Sequence, residues 1–184
     1  MRFTRLSMQF AAFIMVFIFL ACTTTSTKFS NVWKDTTYQG HPEKILVIDM
    51  GPNPDVRKRF EDEFVMALKD RRVDAVVSYT IMPEPVVSDK DAIAARAKEV
   101  GANTILINRR LGSTIGETKG ETIRGGGSTD LYINMQTDAY DMTSNKLVLS
   151  VTAETWILQG IPESTLIKSY LKDLVKKLSQ QGLF

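Results

Sequence analysis

The chain has 184 residues, enough for one domain with a proper core, with 23 lysines and arginines, 21 acidic residues, one histidine and one cysteine. A single cysteine excludes an intrachain disulfide and a single histidine excludes a His-based triad or a histidine-rich metal centre, so burial has to supply the stability. Arg2 and Arg5 are the only charges in the first 21 residues; without them 21 basic residues face 21 acidic ones, and that balance gives no electrostatic reason to expect nucleic acid as a partner.

The chain starts with a basic head and an unbroken apolar run, 10–21, that ends at Cys22. A charged head, a short apolar middle and a small residue before a cut describe an export signal, and the run is short of the roughly 20 residues a comfortable membrane span needs. "Phe-Leu-Ala-Cys" at 19–22 resembles the lipobox of bacterial lipoproteins, although Phe19 stands where leucine is commonest. The resemblance implies that residues 1–21 are a signal peptide and that Cys22 is acylated, tying the chain to a membrane. Thr23, where an aspartate would retain such a protein at the inner membrane, implies the outer membrane, facing the periplasm, if the host is Gram-negative.

Residues 22–43 read as a polar tether that could span at most ~70 Å at ~3.3 Å per residue. Trp33 and Tyr38 interrupt it; they pack its distal part on the domain or offer a partner contact. "Lys-Ile-Leu-Val-Ile-Asp-Met" (44–50) is a strand buried on both faces, broken by "Gly-Pro-Asn-Pro-Asp" with Asn53 as helix cap. The helix that follows, to about Arg72, buries Val56, Phe60, Phe64, Val65 and Leu68 and leaves Glu61, Asp62 and Glu63 on its solvated face. A second strand (73–79), a helix opened by a capping box at 88–91 and closed by Gly101, and a third strand (103–108) complete a βαβαβ unit.

The pattern then changes. Residues 111–130 form a polar, glycine-rich insert, expected to be mobile or to extend the following strand only weakly. It contains Gly125, Gly126 and Gly127, which lie before a strand rather than between a strand and a helix, so a phosphate loop is disfavoured. Segments 131–140 and 147–156 alternate with period two around a turn and read as an antiparallel hairpin. From Pro162 a last helix carries Leu166, Ile167, Tyr170, Leu171, Leu174, Val175 and Leu178 on one face, to cover the sheet or, less favoured, to lie on a membrane. The whole is an α/β fold of α+β character: one mixed sheet with helices packed on it, a single domain over 44–184.

"Lys-Ile-Leu-Val-Ile", "Arg-Lys-Arg-Phe-Glu-Asp-Glu-Phe" (57–64), "Val-Val-Ser-Tyr" (76–79) and "Gly-Ala-Asn-Thr-Ile-Leu-Ile" (101–107) resemble a group of uncharacterised Gram-negative lipoproteins. The element order also resembles the α/β domain of the TolB N-terminal domain, the curli-secretion lipoprotein and the lipoprotein activators of penicillin-binding proteins. The resemblance covers residues 44–178, departs from the compact versions at the 111–130 insert, and brings no catalytic residue. It implies a non-enzymatic envelope protein, without cofactor or metal, that binds envelope protein partners. Candidate contacts are Trp33, Tyr38, Gly125, Gly126 and Gly127. The alternatives are an envelope enzyme and a small-ligand carrier using Asp49, which ends the first strand where open parallel sheets place ligands.

Overall fold

The computed structural model describes residues 25–82, 89–118, 128–158 and 160–184. Six strands form one mixed sheet: β1 (Thr25–Lys34), β2 (Lys44–Asp49), β3 (Asp74–Val77), β4 (Thr104–Thr118), β5 (Ser128–Asp141) and β6 (Lys146–Leu158), in the order β1-β6-β5-β4-β2-β3. Three helices pack on it: α1 (Pro54–Lys69), α2 (Lys90–Glu99) and α3 (Glu163–Gln180). β2 pairs in parallel with β3 and β4, and the βαβαβ unit is as expected. β4, β5, β6 and β1 are successive antiparallel neighbours.

Local chemistry sets the boundaries. Asn53 caps α1, its Oδ1 accepting from the N–H groups of Asp55 and Val56, with Pro54 at the first helical position. Asp89, one residue later than expected, caps α2 by the same geometry, and Gly101 behind that helix adopts φ +69°. Asn145 takes φ +58° in the β5–β6 turn, a conformation asparagine tolerates better than most residues.

Helices α1 and α3 share one face of the sheet and close the main core, in which Phe64, Leu68, Tyr170, Leu174 and Leu178 are fully buried. On the other face α2 closes a smaller core around Leu46, Ile48, Ile93 and Ile105. It covers only the β3-β2-β4 half. Among the described residues no helix covers the α2-side face of β5, β6 and β1, where Asn134, Gln136, Ser150, Thr152 and Glu154 stand partly exposed, the wetter side expected of the hairpin.

Three sequence expectations need correction. Thr25–Lys34, expected as tether, is an edge strand in antiparallel register with β6. An edge strand needs only one apolar side, and Phe29 and Val32 supply it while Ser26, Lys28 and Trp33 face outward, with a bulge between Phe29 and Asn31 taking up the phase. The glycine-rich insert is also strand at both flanks, because β4 runs on to Thr118 against β5 from Ser128. Its Gly125, Gly126 and Gly127 lie outside the described residues, as does Cys22. Last, Glu61 is not solvated but fully buried.

Candidate functional site

Two polar constructions sit at the carboxyl ends of the parallel strands. The first fastens α1 to the sheet. Glu61 Oε1 accepts from the Asp49 N–H (3.1 Å), Arg57 Nε (3.0 Å) and Ser78 Oγ (2.7 Å), and Oε2 accepts from the N–H groups of Ser78 (2.6 Å) and Tyr79 (3.0 Å). Arg57 Nη2 also donates to Ser78 Oγ at 2.8 Å. The carboxylate thus supplies the acceptor for the Asp49 and Tyr79 N–H groups where β2 and β3 end, and shares the Ser78 N–H with the Val47 carbonyl, which lies 3.0 Å from it. All of its reach is spent inside the protein.

The second lies one layer away, between the sheet and α3. Asn108 Nδ2 donates to Asp49 Oδ1 at 2.7 Å, and the Gly51 N–H donates to Asp49 Oδ2 at 3.2 Å. Thr137 Oγ1 donates to Asn108 Oδ1 at 3.0 Å and lies 3.2 Å from the Tyr170 hydroxyl, which is itself 3.4 Å from Asn108 Oδ1. Asp49, Asn108 and Thr137 are register neighbours across β2, β4 and β5, so the chain of bonds runs perpendicular to the strands. β4 and β5 continue well past this row while β2 stops, and the overhang leaves a cavity of about 250 Å³. Asp49, Asn108 and Tyr170 form its polar floor, Phe60 is one wall, and Arg110 and Glu163 stand at the mouth.

Burial pushes the Asp49 carboxyl above its ordinary range, against the Asn108 and Gly51 hydrogen bonds that favour the charged form. Burial likewise pushes the Tyr170 hydroxyl up, with the Asp49 charge adding to it, so it stays a neutral donor. The arrangement can accept a hydrogen-bond donor or a cation from a small molecule in the cavity. Its pH signature is checkable. Because the folded value of Asp49 lies above the unfolded one, its contribution to stability is complete below the unfolded value and is lost as pH rises through the folded one. Denaturation series on wild type and Asp49→Asn should therefore show the variant gaining on the wild type as pH rises through the acid range. The gap should be constant above it.

Trp33 and Tyr38 do not share a site. Trp33 is 46 % exposed on the helix-free face beside Ser150, whereas Tyr38 is partly buried against the main core. On that open face Asp138 is buried among its own neighbours, accepting from Arg109, from Gln136 Nε2 (2.9 Å) and from Ser150 Oγ (2.6 Å). His41 lies in the β1–β2 connection, before the start of β2, and the Asp49 cavity lies past its end. Among the described residues no three acidic, histidine or cysteine side chains converge on a metal position, and no helix is long and apolar enough to cross a membrane.

Neither a protein-family model nor a curated protein matches the sequence. Solved structures do. The PelC dodecamer from Paraburkholderia phytofirmans matches over 84 % of this chain and 96 % of its own, at 14 % identity and a TM-score of 0.51. The chain shares its fold with PelC. A single-substitution variant of that dodecamer in another crystal form matches at 12 % identity over 83 % of this chain and 98 % of its own, also at 0.51. Lipoprotein GNA1162 from Neisseria meningitidis matches at 11 % identity over 76 % of this chain and 99 % of its own, with a TM-score of 0.49. At these identities the likeness concerns the fold, and it does not bear on the TolB-like or curli-lipoprotein-like resemblance.

Proposed function

We propose that the protein is a lipoprotein acylated at Cys22, and that its domain is a non-enzymatic, protein-binding module of the bacterial cell envelope. Its place is the outer membrane, facing the periplasm, as Thr23 after the cysteine favours. The lipobox-like "Phe-Leu-Ala-Cys" supports the anchor, and the fold shared with PelC is the α/β domain that would be carried on it.

The observation that carries the binding role is Trp33. An antiparallel sheet tolerates one wet face, so the polar side chains beside Trp33 need no cover. An indole 46 % exposed on an edge strand gains by being covered, and tryptophan anchors are where interface energy concentrates. PelC is a dodecamer, which makes further copies of this chain one class of partner. Chemical crosslinking in native membranes, followed by purification of the protein, tests the reading. Trp33→Ala should lower capture of the crosslinked partner by at least about tenfold, as loss of an anchor worth about 2 kcal/mol implies, with unfolding unchanged. Met66→Ala, on exposed α1 surface, should capture like wild type. Equal capture by all three would remove Trp33, and this face, from the proposal.

A second reading, a small-ligand carrier, rests on the Asp49 cavity. Native mass spectrometry of protein drawn from membranes would then show an added mass that Asp49→Asn loses.

A further inference from the structure

We infer that the domain does not swing on a tether but lies on the membrane with one defined pole, the end of the sheet at which β1 begins, and that the partner of this pole is the lipid surface itself. The inference rests on the acylation of Cys22 proposed above. β1 begins at Thr25, so only three residue steps, ~10 Å at ~3.3 Å each, separate Cys22 from the sheet. Within so short a reach the lipid surface meets whatever lies around Thr25.

The register shows what that is. Thr25 pairs with Ile157, Ile157 with Leu131, and Leu131 with Ile115, so one row of the sheet leads from Thr25 through the buried Ile157 and the half-buried Leu131 to an exposed isoleucine on β4. Ile115 is 71 % exposed, and Leu111, at the bulge in β4 between Arg110 and Gly112, is 55 % exposed. Leu158 and Ile161 stand partly exposed beyond the row, and with Ile115, Leu131, Ile157 and Leu166 they line a cavity of about 350 Å³. Exposed apolar side chains scattered singly need no explanation, but Ile115 and Leu111 stand exposed on one strand, with Leu131, Leu158 and Ile161 half-buried behind Ile115, at the end of the sheet where the chain reaches its anchor. The first two turns of α3 close this end from behind, with the Thr25 hydroxyl donating to Ser169 Oγ at 2.5 Å, so these side chains are held on a rigid frame.

Charge identifies lipid tails and interface, rather than anionic headgroups, as the matching chemistry. The charged residues lining the cavity are Arg110, Asp130 and Glu163, which is no cationic patch. Attachment through apolar contact should therefore persist at high salt, where surface electrostatics is screened. The orientation also fixes what points away. The β5–β6 turn, with Ser144 at its tip, lies some ten residues along β5 from Leu131, about 34 Å by strand rise.

The test uses the full acylated chain in phosphatidylcholine vesicles. Cys22 is the only cysteine, so once acylated it leaves an introduced thiol as the single site for an environment-sensitive fluorophore. At Ile115→Cys the label should shift to the blue and lose its fluorescence to lipids spin-labelled near the headgroup, in low and high salt alike. At Ser144→Cys it should do neither. Leu111→Cys is the second position, should Ile115→Cys disturb the hairpin. Labels at 111 and 115 that behave as in water overturn the proposal. So does quenching that comes only from neighbouring labelled molecules and disappears on dilution with unlabelled protein, which would make the pole an interface between copies. Intact mass, measured first with Cys22→Ser as reference, separates the two levels: a Cys22 without fatty acid overturns the anchor and with it this orientation, whereas an acylated chain with a wet pole overturns the orientation alone.

Discussion

Glu61→Gln should lower the unfolding free energy by about 3–5 kcal/mol, the usual cost of breaking a buried charge pair from one side. The carboxylate is fully buried, and its ion-pair partner Arg57 is only 3 % exposed. An amide keeps one acceptor oxygen and replaces the other with a donor, which would then face the N–H groups of Ser78 and Tyr79 or the Arg57 guanidinium. Two accounts of the network differ in a second experiment. If its worth is the ion pair, replacing both charges with apolar residues, Arg57→Met with Glu61→Leu, should restore stability. If its worth is the satisfaction of the Asp49 and Tyr79 N–H groups, the double variant leaves those two donors without their acceptor, at about 1–3 kcal/mol each, while the Ser78 N–H keeps the Val47 carbonyl. The backbone bonds favour the second account, so little rescue is expected. Asp62→Asn, which touches only the Tyr79 hydroxyl among its described hydrogen bonds, should change stability by about 1 kcal/mol or less. Urea denaturation of the four proteins, read as midpoint and slope, checks all of this.

Much of the fold was legible because the main core is built from long, regular apolar runs. The 44–49 strand, the Phe60-Phe64-Leu68 stripe, the alternation in β5 and β6 and the leucine face of α3 each carry the period of their element, and the structure places them so. β1 was hidden by its own economy. Only Phe29 and Val32 touch the core as apolar groups, while Thr25 and Thr27 use hydroxyls to bond Ser169 and Thr155, so the segment scans as a polar linker. Glu61 was hidden by its chemistry, although its position was informative: Arg57, Phe60, Glu61, Phe64, Val65 and Leu68 form one continuous i, i+3, i+4 stripe, and a pair of opposite charges inside an apolar stripe points inward. Asn108 and Thr137 carried a similar sign, being in phase with Leu106 and with Met135 on faces that bury their neighbours. No sequence pattern joins these to Tyr170, because α3 reaches β4 and β5 only through the tertiary fold. Trp33 was visible as an aromatic in a polar stretch, but whether it faced the core depended on the Phe29/Asn31 bulge that shifts the phase of β1.

Leu174→Ala should cost about 2–5 kcal/mol, the range for truncating a core leucine. The prediction decides what α3 is for. Its basic, amphipathic pattern is equally that of a helix lying on a membrane, and in that role its leucines would meet lipid rather than protein. In the structure Leu174 is fully buried and Leu171 is 1 % exposed, within the same core as Phe60, Phe64 and Tyr170. Phe60 packs edge-on against Phe64 at 5.9 Å and tilted over Tyr170 at 6.2 Å, so the core that loses the isopropyl group of Leu174 is built in part from rigid rings that collapse poorly. The polar side of α3 is engaged as well. Lys168 pairs with Glu63 of α1, Lys177 stands over the Phe29 ring, and Lys34 reaches the Gln181 carbonyl at 2.6 Å, so the helix ties the edge strand β1 to the domain. Loss of α3 packing should therefore loosen β1 along with the core. Hydrogen exchange should show this as faster exchange at β1 amides paired with β6, such as Trp33, while those of Leu46 and Ile48, packed on α2, change only with global stability. Lys172→Ala and Lys176→Ala, on the exposed side of the same helix, should stay within about 0.5 kcal/mol of wild type. An unchanged midpoint in Leu174→Ala would place α3 off the sheet and return it to the membrane surface.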